Sequence, residues 1–429
     1  MSGSAEIERF LREAHKDSGK AIKYLTNFVT KTSQKASNDE ENKKKENAIM
    51  ELGSLLAKRK QIDALRSMIE NTRPFLVSLG KAKAAKLVRN LVDLFLEIEM
   101  QDRELKDIKV KLCKECIEWA REQNRVFLRQ TLEARLIRLY NDIDEHQEAL
   151  SLATILVKEL KKLDDKDLIL EVQLEESKAC YHLSNLTKAR AALTSARTTA
   201  NAIYIPPKMQ AALDMQSGIL HAADERDFKT AFSYFYESFE GYDSVDCQAE
   251  ALRALKYMLL CKIMLNEPED VQGILSGKLA LKYTQEDLEA MKAVASAAKK
   301  RSLADFKEAF GKYKSSLQLD AVVKSHFQSL YDGMLEKNLS RIIEPYSEVD
   351  IPHVAKSIGL EPLQVEKKLS QMILDNKICG IMYQGEGILK VFDGSGKDKT
   401  YETYLEMIHA MGRVVDALYQ RAKKLNYQA

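Results

Sequence analysis

The segment SEVDIPHVAKSIGLEPLQVEKKLSQMILDNKICGIMYQGEGILKVF, from Ser347 to Phe392, decides the fold at the C-terminal end of this 429-residue chain. Pro352 near its start and Gly359 at its end predict a short helix over IPHVAKSIG. Glu361 and Pro362 then begin a second helix. The predicted inner face of that helix consists of Leu363, Leu369, Met372 and Ile373.

A tight hairpin follows the two helices. The predicted strands are Ile378–Gln384 and Ile388–Phe392, and the glycines of Gly385-Glu386-Gly387 make the turn between them. Helix, helix and hairpin in this order predict a winged helix. Because many winged helices bind DNA, nucleic-acid recognition has to be weighed against protein assembly.

The second helix lacks the side chain that most often reads guanine. Its predicted outward residues are Gln364, Glu366, Lys367, Lys368 and Gln371. No arginine lies between Arg341 and Arg413, so bidentate arginine contacts to guanine are absent. The whole chain has 66 basic and 64 acidic residues, which gives no general attraction to a polyanion. Nucleic-acid binding is therefore the least favoured function.

The sequence upstream of this segment is predicted to be helical. A pattern of five residues, polar–apolar–x–x–small, recurs along the chain. Its last position is occupied by Ala149, Ala189, Ala231, Ile274 and Ala309. In addition, the hexapeptide DFKTAF that begins at Asp227 is nearly repeated as DFKEAF from Asp305. Spacings of about 35 to 43 residues are typical of helical-hairpin repeats. We predict that the Asp or Asn of each pattern caps the second helix of a hairpin and that the small residue lets two helices approach. The polar stretch Thr32–Ala48 is predicted to be a solvated link.

The C-terminal segment repeats apolar residues at alternating steps of three and four, which is the pattern of a coiled-coil seam. The seam consists of Tyr401, Tyr404, Ile408, Met411, Val415, Leu418, Ala422 and Leu425. A winged helix is too small to cover all of such a long stripe, so we expect part of it to pack against helices of other chains. The alternative is that it folds back onto its own repeats.

Composition predicts a soluble intracellular protein, with 45% apolar and 30% charged residues and no signal-like or membrane-length apolar run. Catalytic motifs are missing from the sequence: the GK at Gly396-Lys397 lacks the rest of a phosphate loop, and there is no HExxH, HxH or GxSxG. Cys113 and Cys116 form a lone CxxC that we predict to be helix packing. Cys379 is predicted to be a core thiol rather than a nucleophile. We expect no active site, metal or cofactor.

Helical repeats that lead into a winged helix and a final helix resemble the PCI family of proteasome lid, COP9 signalosome and translation-initiation factor subunits. Within that family, EPYSEVDIPHVAKSIGL, VEKKLSQMILDNKICGI, GILKVF and the N-terminal LGSLLAKRKQIDAL are similar to the proteasome regulatory-particle lid subunits. The likeness extends over the whole chain and is most specific between Ser347 and Phe392.

The resemblance implies a scaffold rather than a catalyst, with lateral association of winged helices and a bundle of C-terminal helices. Partners implied are other PCI lid subunits, the ATPase ring and core-particle α subunits, in the cytoplasm and nucleus, without nucleic acid or membrane. The residues expected at the hairpin interface are Ile378, Gly380, Met382, Ile388, Lys390 and Phe392. Membership of another PCI complex is the alternative.

The predicted architecture is mainly α. It consists of a right-handed helical-hairpin, tetratricopeptide-like solenoid, a winged-helix PCI module and a long C-terminal helix. N-terminal repeats are expected over residues 1–130 and tetratricopeptide-like repeats over 131–340. The winged helix is expected over 341–396 and the bundle helix over 397–429.

Overall fold

The computed structural model describes residue 26 and residues 39–59, 61–96, 103–277, 280–283, 286–314, 320–392 and 400–426. The chain forms two compact units, Met1–Leu265 and Asn266–Ala429. The helices of the first unit are α1 (Asp39–Lys58), α2 (Ile62–Ser78), α3 (Lys81–Leu96), α4 (Arg103–Glu122), α5 (Val126–Asp142), α6 (His146–Leu163), α7 (Lys166–His182), α8 (Leu186–Ala200), α9 (Pro207–Leu220), α10 (Phe228–Ser244) and α11 (Gln248–Met264). A π-helical turn, His221–Glu225, continues α9.

The second unit contains shorter helices, a small sheet and one long helix. Its helices are α12 (Pro268–Leu275), α13 (Glu286–Lys300), α14 (Leu303–Lys312), α15 (Ala321–Ile343), α16 (Ile351–Ile358), α17 (Pro362–Leu374) and α18 (Thr400–Asn426). Its strands are β1 (Glu348–Asp350), β2 (Gly380–Tyr383) and β3 (Ile388–Val391). The predicted fold class, helical repeats followed by a winged helix and a long final helix, is confirmed. The predicted domain boundaries stay predictions.

Many helix connections contain a left-handed residue, and several of them share one hydrogen-bonded turn geometry. The residue before the N-cap is left-handed, as at Asp144 with a φ of 72°, and the N-cap amide of Glu145 donates 3.0 Å to the carbonyl of Tyr140, five residues back. This six-to-one bond is that of a Schellman turn. The left-handed residues of these helix connections are Asn124, Asp144, Asp164, Ser184, Arg226, Asp246, Asn266 and Arg301. Asn and Asp dominate because they tolerate this conformation better than most residues.

The small residue of each predicted repeat lies where two helices approach closely. Ala149, Ala189 and Ala231 are all 0% exposed, and each lies four residues after an N-cap. The predicted caps are confirmed at Asn185 and Asp227, whose side chains accept the amides of Lys188 (3.3 Å) and Thr230 (3.2 Å). The helical repeats are therefore built as the sequence predicts at these positions.

The predicted register is wrong in the last two repeats. Ser302, not Asp305, caps α14, because the hydroxyl of Ser302 accepts the Asp305 amide at 3.3 Å. DFKTAF thus begins at an N-cap, whereas DFKEAF begins inside its helix. The position four residues after the N-cap, which is alanine in several earlier repeats, is the buried Phe306 in α14. In α12 the corresponding residue is Val271, which is 0% exposed, rather than the half-buried Ile274.

The prediction of a solvated link over Thr32–Ala48 is wrong from Asp39 onward, while residues 32–38 lie outside the described part. Asp39 to Lys58 is one helix, and Lys45 and Ala48 are buried. Acidic residues at 39–41 suit a helix start because they complement the positive end of the helix dipole. The polar composition thus marks the first turns of a helix.

Candidate protein-interaction surfaces

The winged helix is built on a three-stranded antiparallel sheet with the order β1-β3-β2. The hairpin was predicted as two strands, but β1 adds a third, with Val349 opposite Leu389. β3 is therefore the central strand. Among the described residues, β2 pairs only with β3, so its outer edge keeps backbone groups that a partner strand can use.

The two faces of the sheet differ in burial. Leu389 is 1% exposed and pairs with Met382 on the face turned to the helices of the module. The opposite face carries Ile381 and Tyr383, which are 51% and 43% exposed. Apolar side chains beside an unpaired strand edge are typical of a surface that a partner covers. Sequence reasoning missed both residues, although strict alternation from the buried Leu389 points to them.

The predicted hairpin residues are distributed over both faces. Ile378 is 8% exposed and Met382 is half-buried, so both belong mainly to the module's own core. Gly380 allows β3 to approach closely, since a Cβ there would lie 2.6 Å from the carbonyl oxygen of Lys390. Ile388 is half-buried, and Phe392 is 50% exposed.

Lys390 contacts two other side chains on the exposed face of the sheet. Its Nζ lies 3.0 Å from Glu348 Oε1 and 5.4 Å from the centroid of the Tyr383 ring. The hydrogen bond and charge of Glu348 raise the pKa of Lys390, so the ammonium stays charged over the ring. The Lys390 side chain thus contacts other residues of the sheet, and Ile381, Tyr383 and Phe392 provide exposed apolar surface.

The second helix of the module, α17, presents a surface unlike that of a DNA-reading helix. Its buried residues are Val365, Leu369 and Met372. Leu363, predicted to be inward, is 67% exposed because Val365 fills the core instead, and Leu374 at the other end is 82% exposed. Exposed leucines at both ends and the absence of arginine do not fit a helix that lies against phosphates and base edges.

A carboxylate on α15, that of Glu336, fixes α17 and the residues just after it. The two oxygens of Glu336 accept hydrogen bonds from Lys368 Nζ at 3.0 Å and Lys377 Nζ at 2.6 Å. Burial opposes ionisation of Glu336, but the bonds and charges of the two lysines outweigh burial and lower the pKa of the carboxyl. This three-way bridge holds α17 at a defined position on α15.

The final helix, α18, exposes every side chain that the structure describes from residue 400 to residue 423. Ile408, Met411 and Val415 of the predicted seam are 60%, 63% and 63% exposed. Tyr401, Tyr404, Leu418 and Ala422 are exposed as well. Leu425 lies within α18, but its side chain is outside the described part. The seam is therefore an uncovered apolar stripe on a helix of 27 residues.

The apolar face of α18 is wider than the predicted seam. Leu405 and Tyr419 flank the seam on one side, and Met407 and Val414 flank it on the other, each 56% to 68% exposed. In heptad notation these are positions e and g beside a and d. Sequence reasoning missed them because it followed one three-four spacing. Apolar residues at four of seven positions indicate a helix that packs into a bundle.

The structure gives no sign of a catalytic centre among its described residues. Burial raises the pKa of Cys113 to about 12 and that of Cys116 to about 11, and both thiols are buried in a helix core as predicted. Cys379 is exposed, so the prediction of a core thiol is wrong there. The described part holds no group of three or more His, Cys, Asp or Glu fit for a metal, and none of its helices could span a membrane.

These features define a class: a helical-repeat protein that ends in a winged helix and an uncovered apolar helix, as in subunits of PCI complexes. Three family models match the chain in order. They are the 26S proteasome regulatory subunit RPN6 N-terminal domain over residues 4–143, the PCI domain over 305–393, and the 26S proteasome subunit RPN6 C-terminal helix domain over 397–423.

Relatives that match most of the chain point to the same family as these models. A probable 26S proteasome regulatory subunit rpn-6.1 of Caenorhabditis elegans is 63% identical over 426 residues, which cover 99% of this chain and 96% of the relative. A 26S proteasome non-ATPase regulatory subunit 11 homolog of Arabidopsis thaliana is 49% identical over 381 residues, covering 89% and 90%. The rpn6 protein of Schizosaccharomyces pombe is 48% identical over 375 residues, covering 87% and 88%. The chain belongs to the Rpn6 family of 26S proteasome regulatory subunits, which confirms the resemblance seen in its sequence.

Proposed function

We propose that this chain is a non-catalytic scaffold subunit of the proteasome regulatory-particle lid and acts in ubiquitin-dependent protein degradation. The observation that carries the proposal is the uncovered apolar face of α18. A soluble monomer rarely exposes a contiguous apolar patch of this length unless a partner covers it. The names of the relatives, which are proteasome regulatory subunits, make helices of other lid subunits the natural partners.

The winged helix supplies a second assembly surface. The free edge of β2 can pair with a strand of a neighbouring PCI subunit, and Ile381 and Tyr383 can be covered at the same contact. Of the hairpin residues predicted from the sequence, Ile388 and Lys390 lie opposite Tyr383 and Ile381 and can contribute to the same contact, whereas Ile378 and Met382 lie mainly in the module's own core. Lateral pairing through the winged helix and bundling through α18 are therefore separable by mutation.

The helical repeats of the first unit are proposed to brace the lid against the ATPase ring and the core-particle α subunits. Stacked helical hairpins present long surfaces suited to protein partners. Exposed apolar side chains on these helices, such as Phe127 (55%) and Ile155 (59%), support a docking role. We place the subunit with proteasomes in the cytoplasm and nucleus, without a cofactor, nucleic acid or membrane.

Affinity purification of the tagged full chain from cell extract, at physiological salt, tests the proposal. The eluate is identified by mass spectrometry and assayed for ATP-dependent degradation of a ubiquitinated substrate. We expect lid, ATPase and core subunits together with that activity. Elution with the COP9 signalosome or an initiation-factor complex would refute the proteasome assignment, and a monomeric chain that retains nucleic acid would refute the scaffold role.

A pair of neighbouring substitutions tests the winged-helix surface. Tyr383→Glu places a charge on the exposed apolar face, whereas Gln384→Glu places the same charge on the adjacent exposed residue. We expect Tyr383→Glu to reduce recovery of neighbouring lid subunits and Gln384→Glu to leave recovery unchanged. Equal recovery with both variants would exclude this face from the contact.

A further inference from the structure

Three cations lie together in the second unit, where the end of α13 meets α15. We call Arg301, Lys337 and Arg341 the basic cluster. Arg301 follows α13 in the left-handed conformation, with a φ of 53°, and its side chain is exposed. Arg341 Nη1 donates a 2.8 Å hydrogen bond to the carbonyl of Lys300, which fixes this part of α15 against the end of α13.

The basic cluster differs from the neighbouring lysines in its ion pairs, as far as the described residues show. Lys299 Nζ lies 3.4 Å from Glu269 Oε1, and Lys300 Nζ lies 3.4 Å from Asp305 Oδ2. Within the described part of the chain, no carboxylate oxygen lies within 4.0 Å of a cationic nitrogen of Arg301, Lys337 or Arg341. Among the described residues, no carboxylate is therefore in ion-pair distance to balance these three positive charges.

Stability of the fold alone does not account for this arrangement. Cations near the end of a helix complement its dipole, which explains Lys300 and the bond that Arg341 makes. The helix dipole does not explain the position of Lys337. This residue lies four residues before Arg341 on the same face of α15, and like charges at that spacing repel each other. Burial lowers the pKa of Lys337, and the charge of Arg301 lowers it further. An anion at this position would relieve the repulsion among all three.

We propose that the basic cluster is a docking site for an acidic segment of a partner protein. The guanidinium groups of Arg301 and Arg341 can each hold a carboxylate through two hydrogen bonds. Lys337 and Arg341 are separated by about 6 Å along the axis of α15, which is close to the spacing of about 6.6 Å between side chains two apart in an extended peptide. The matching partner sequence therefore has acidic residues at alternate positions.

A nucleic acid fits the same cluster less well. Affinity for a duplex comes largely from the number of phosphates that cations neutralise; this cluster offers three cations, and the chain carries a net charge of only +2. Three cations at the junction of two helices match a short run of carboxylates better than a continuous phosphate backbone. The basic cluster is formed by residues of α15 and by the residue just after α13, so it is an interaction surface additional to the three proposed above.

The test uses the untagged full chain and three fluorescent probes: a (Glu-Gly)5 peptide, a (Gln-Gly)5 peptide and a 20-base-pair duplex. We expect the acidic peptide alone to bind, and binding to fall about tenfold or more in Lys337→Gln/Arg341→Gln. The matched control, Lys356→Gln/Lys367→Gln, removes two charges from exposed lysines of the winged helix and should bind within about twofold of wild type. Arg341→Lys keeps the charge but loses the paired hydrogen bonds, so its affinity for the acidic peptide should fall between that of wild type and that of Lys337→Gln/Arg341→Gln.

Thermal unfolding without a probe supplies the second readout. Lys337→Gln removes a repelled, half-buried charge, so its midpoint should rise while its affinity for the acidic peptide falls. A lower midpoint, equal loss in the control pair, or unchanged peptide binding in Lys337→Gln/Arg341→Gln would overturn the proposal. Preferred binding of the duplex that the same two substitutions abolish would overturn the assignment to a protein partner.

Discussion

Two substitutions on α18 should separate assembly from folding. Ile408→Glu and Val415→Glu place charges at the centre of the apolar stripe, where the native side chains are 60% and 63% exposed. No charged residue lies three or four positions from either one in the sequence, and glutamate is a better helix former than isoleucine or valine. The unassembled chain should therefore keep its helical content and its stability within about 0.5 kcal/mol.

The two substitutions should weaken assembly much more than they change the stability of the free chain. Complete burial of one such side chain stabilises by about 1.5–3 kcal/mol, and roughly three fifths of each side chain is still available for burial. Each glutamate buried without a partner costs roughly another 1–3 kcal/mol. Together the two changes should weaken the contact by about 4 kcal/mol or more, which corresponds to about a thousandfold in the dissociation constant.

The assay is reconstitution of the lid followed by sedimentation, with circular dichroism of the free chain. A matched control, Arg413→Gln/Gln420→Glu, changes net charge by the same two units on the opposite side of α18, where both residues are exposed. The control should assemble normally. If Ile408→Glu/Val415→Glu assembled as well as the control, the stripe would not be an interface. If it unfolded the free chain, the stripe would be part of an internal core.

Three further results follow from the described contacts. Ser302→Ala should destabilise the second unit by about 1 kcal/mol, since its hydroxyl caps α14, whereas Asp305→Ala should change the unfolding midpoint little; similar losses would disprove the assigned cap. Glu336→Gln should destabilise the second unit at pH 7. Because the folded-state pKa of Glu336 is lowered, wild type should lose this advantage as pH falls below about 4.5, and a pH-independent difference between the two would refute the bridge. Native alkylation followed by mass spectrometry should label Cys379 quickly and the buried Cys113 only after unfolding, and rapid labelling of Cys113 would contradict its burial.

Much of the fold was predictable because short-range signals and tertiary packing agree. Gly359 has a φ of 71° and ends α16, as the sequence predicts, and Pro362 begins α17. The alanine slots were correct at Ala149, Ala189 and Ala231 because only a small residue fits between helices in close contact. These features depend on one or two residues and their immediate neighbours.

The register of the repeats was less predictable, because two similar sequence segments need not occupy equivalent positions in their helices. The similarity of DFKTAF and DFKEAF concealed a shift of three residues, which the cap at Ser302 resolves. A better signal was present in the sequence. From Asn124 to Ser184 the left-handed turn residues recur at intervals of 20 residues, and each ends one helix of a hairpin. A search for Asn, Asp or Ser at that interval identifies the helix connections directly.

The interaction surfaces required the structure, because exposure depends on distant parts of the chain. Alternation alone does not say which face of β2 is covered, and β1, a strand of three residues, is too short to predict from its own sequence. The wrong prediction for Leu363 has the same origin. It is apolar and correctly spaced, but Val365 already occupies the core position beneath α17.

The width of the apolar face on α18 says how many neighbours this helix needs. A seam at positions a and d alone would be covered by one partner helix, as in a two-stranded coiled coil. Leu405 and Tyr419 at e, with Met407 and Val414 at g, extend the apolar surface to four adjacent positions of seven, which is slightly more than half of the circumference. One helix of ordinary diameter cannot cover that arc. At least two neighbouring helices are needed to cover it, so we predict that α18 packs inside a bundle and that loss of either neighbour would leave an apolar strip of α18 exposed.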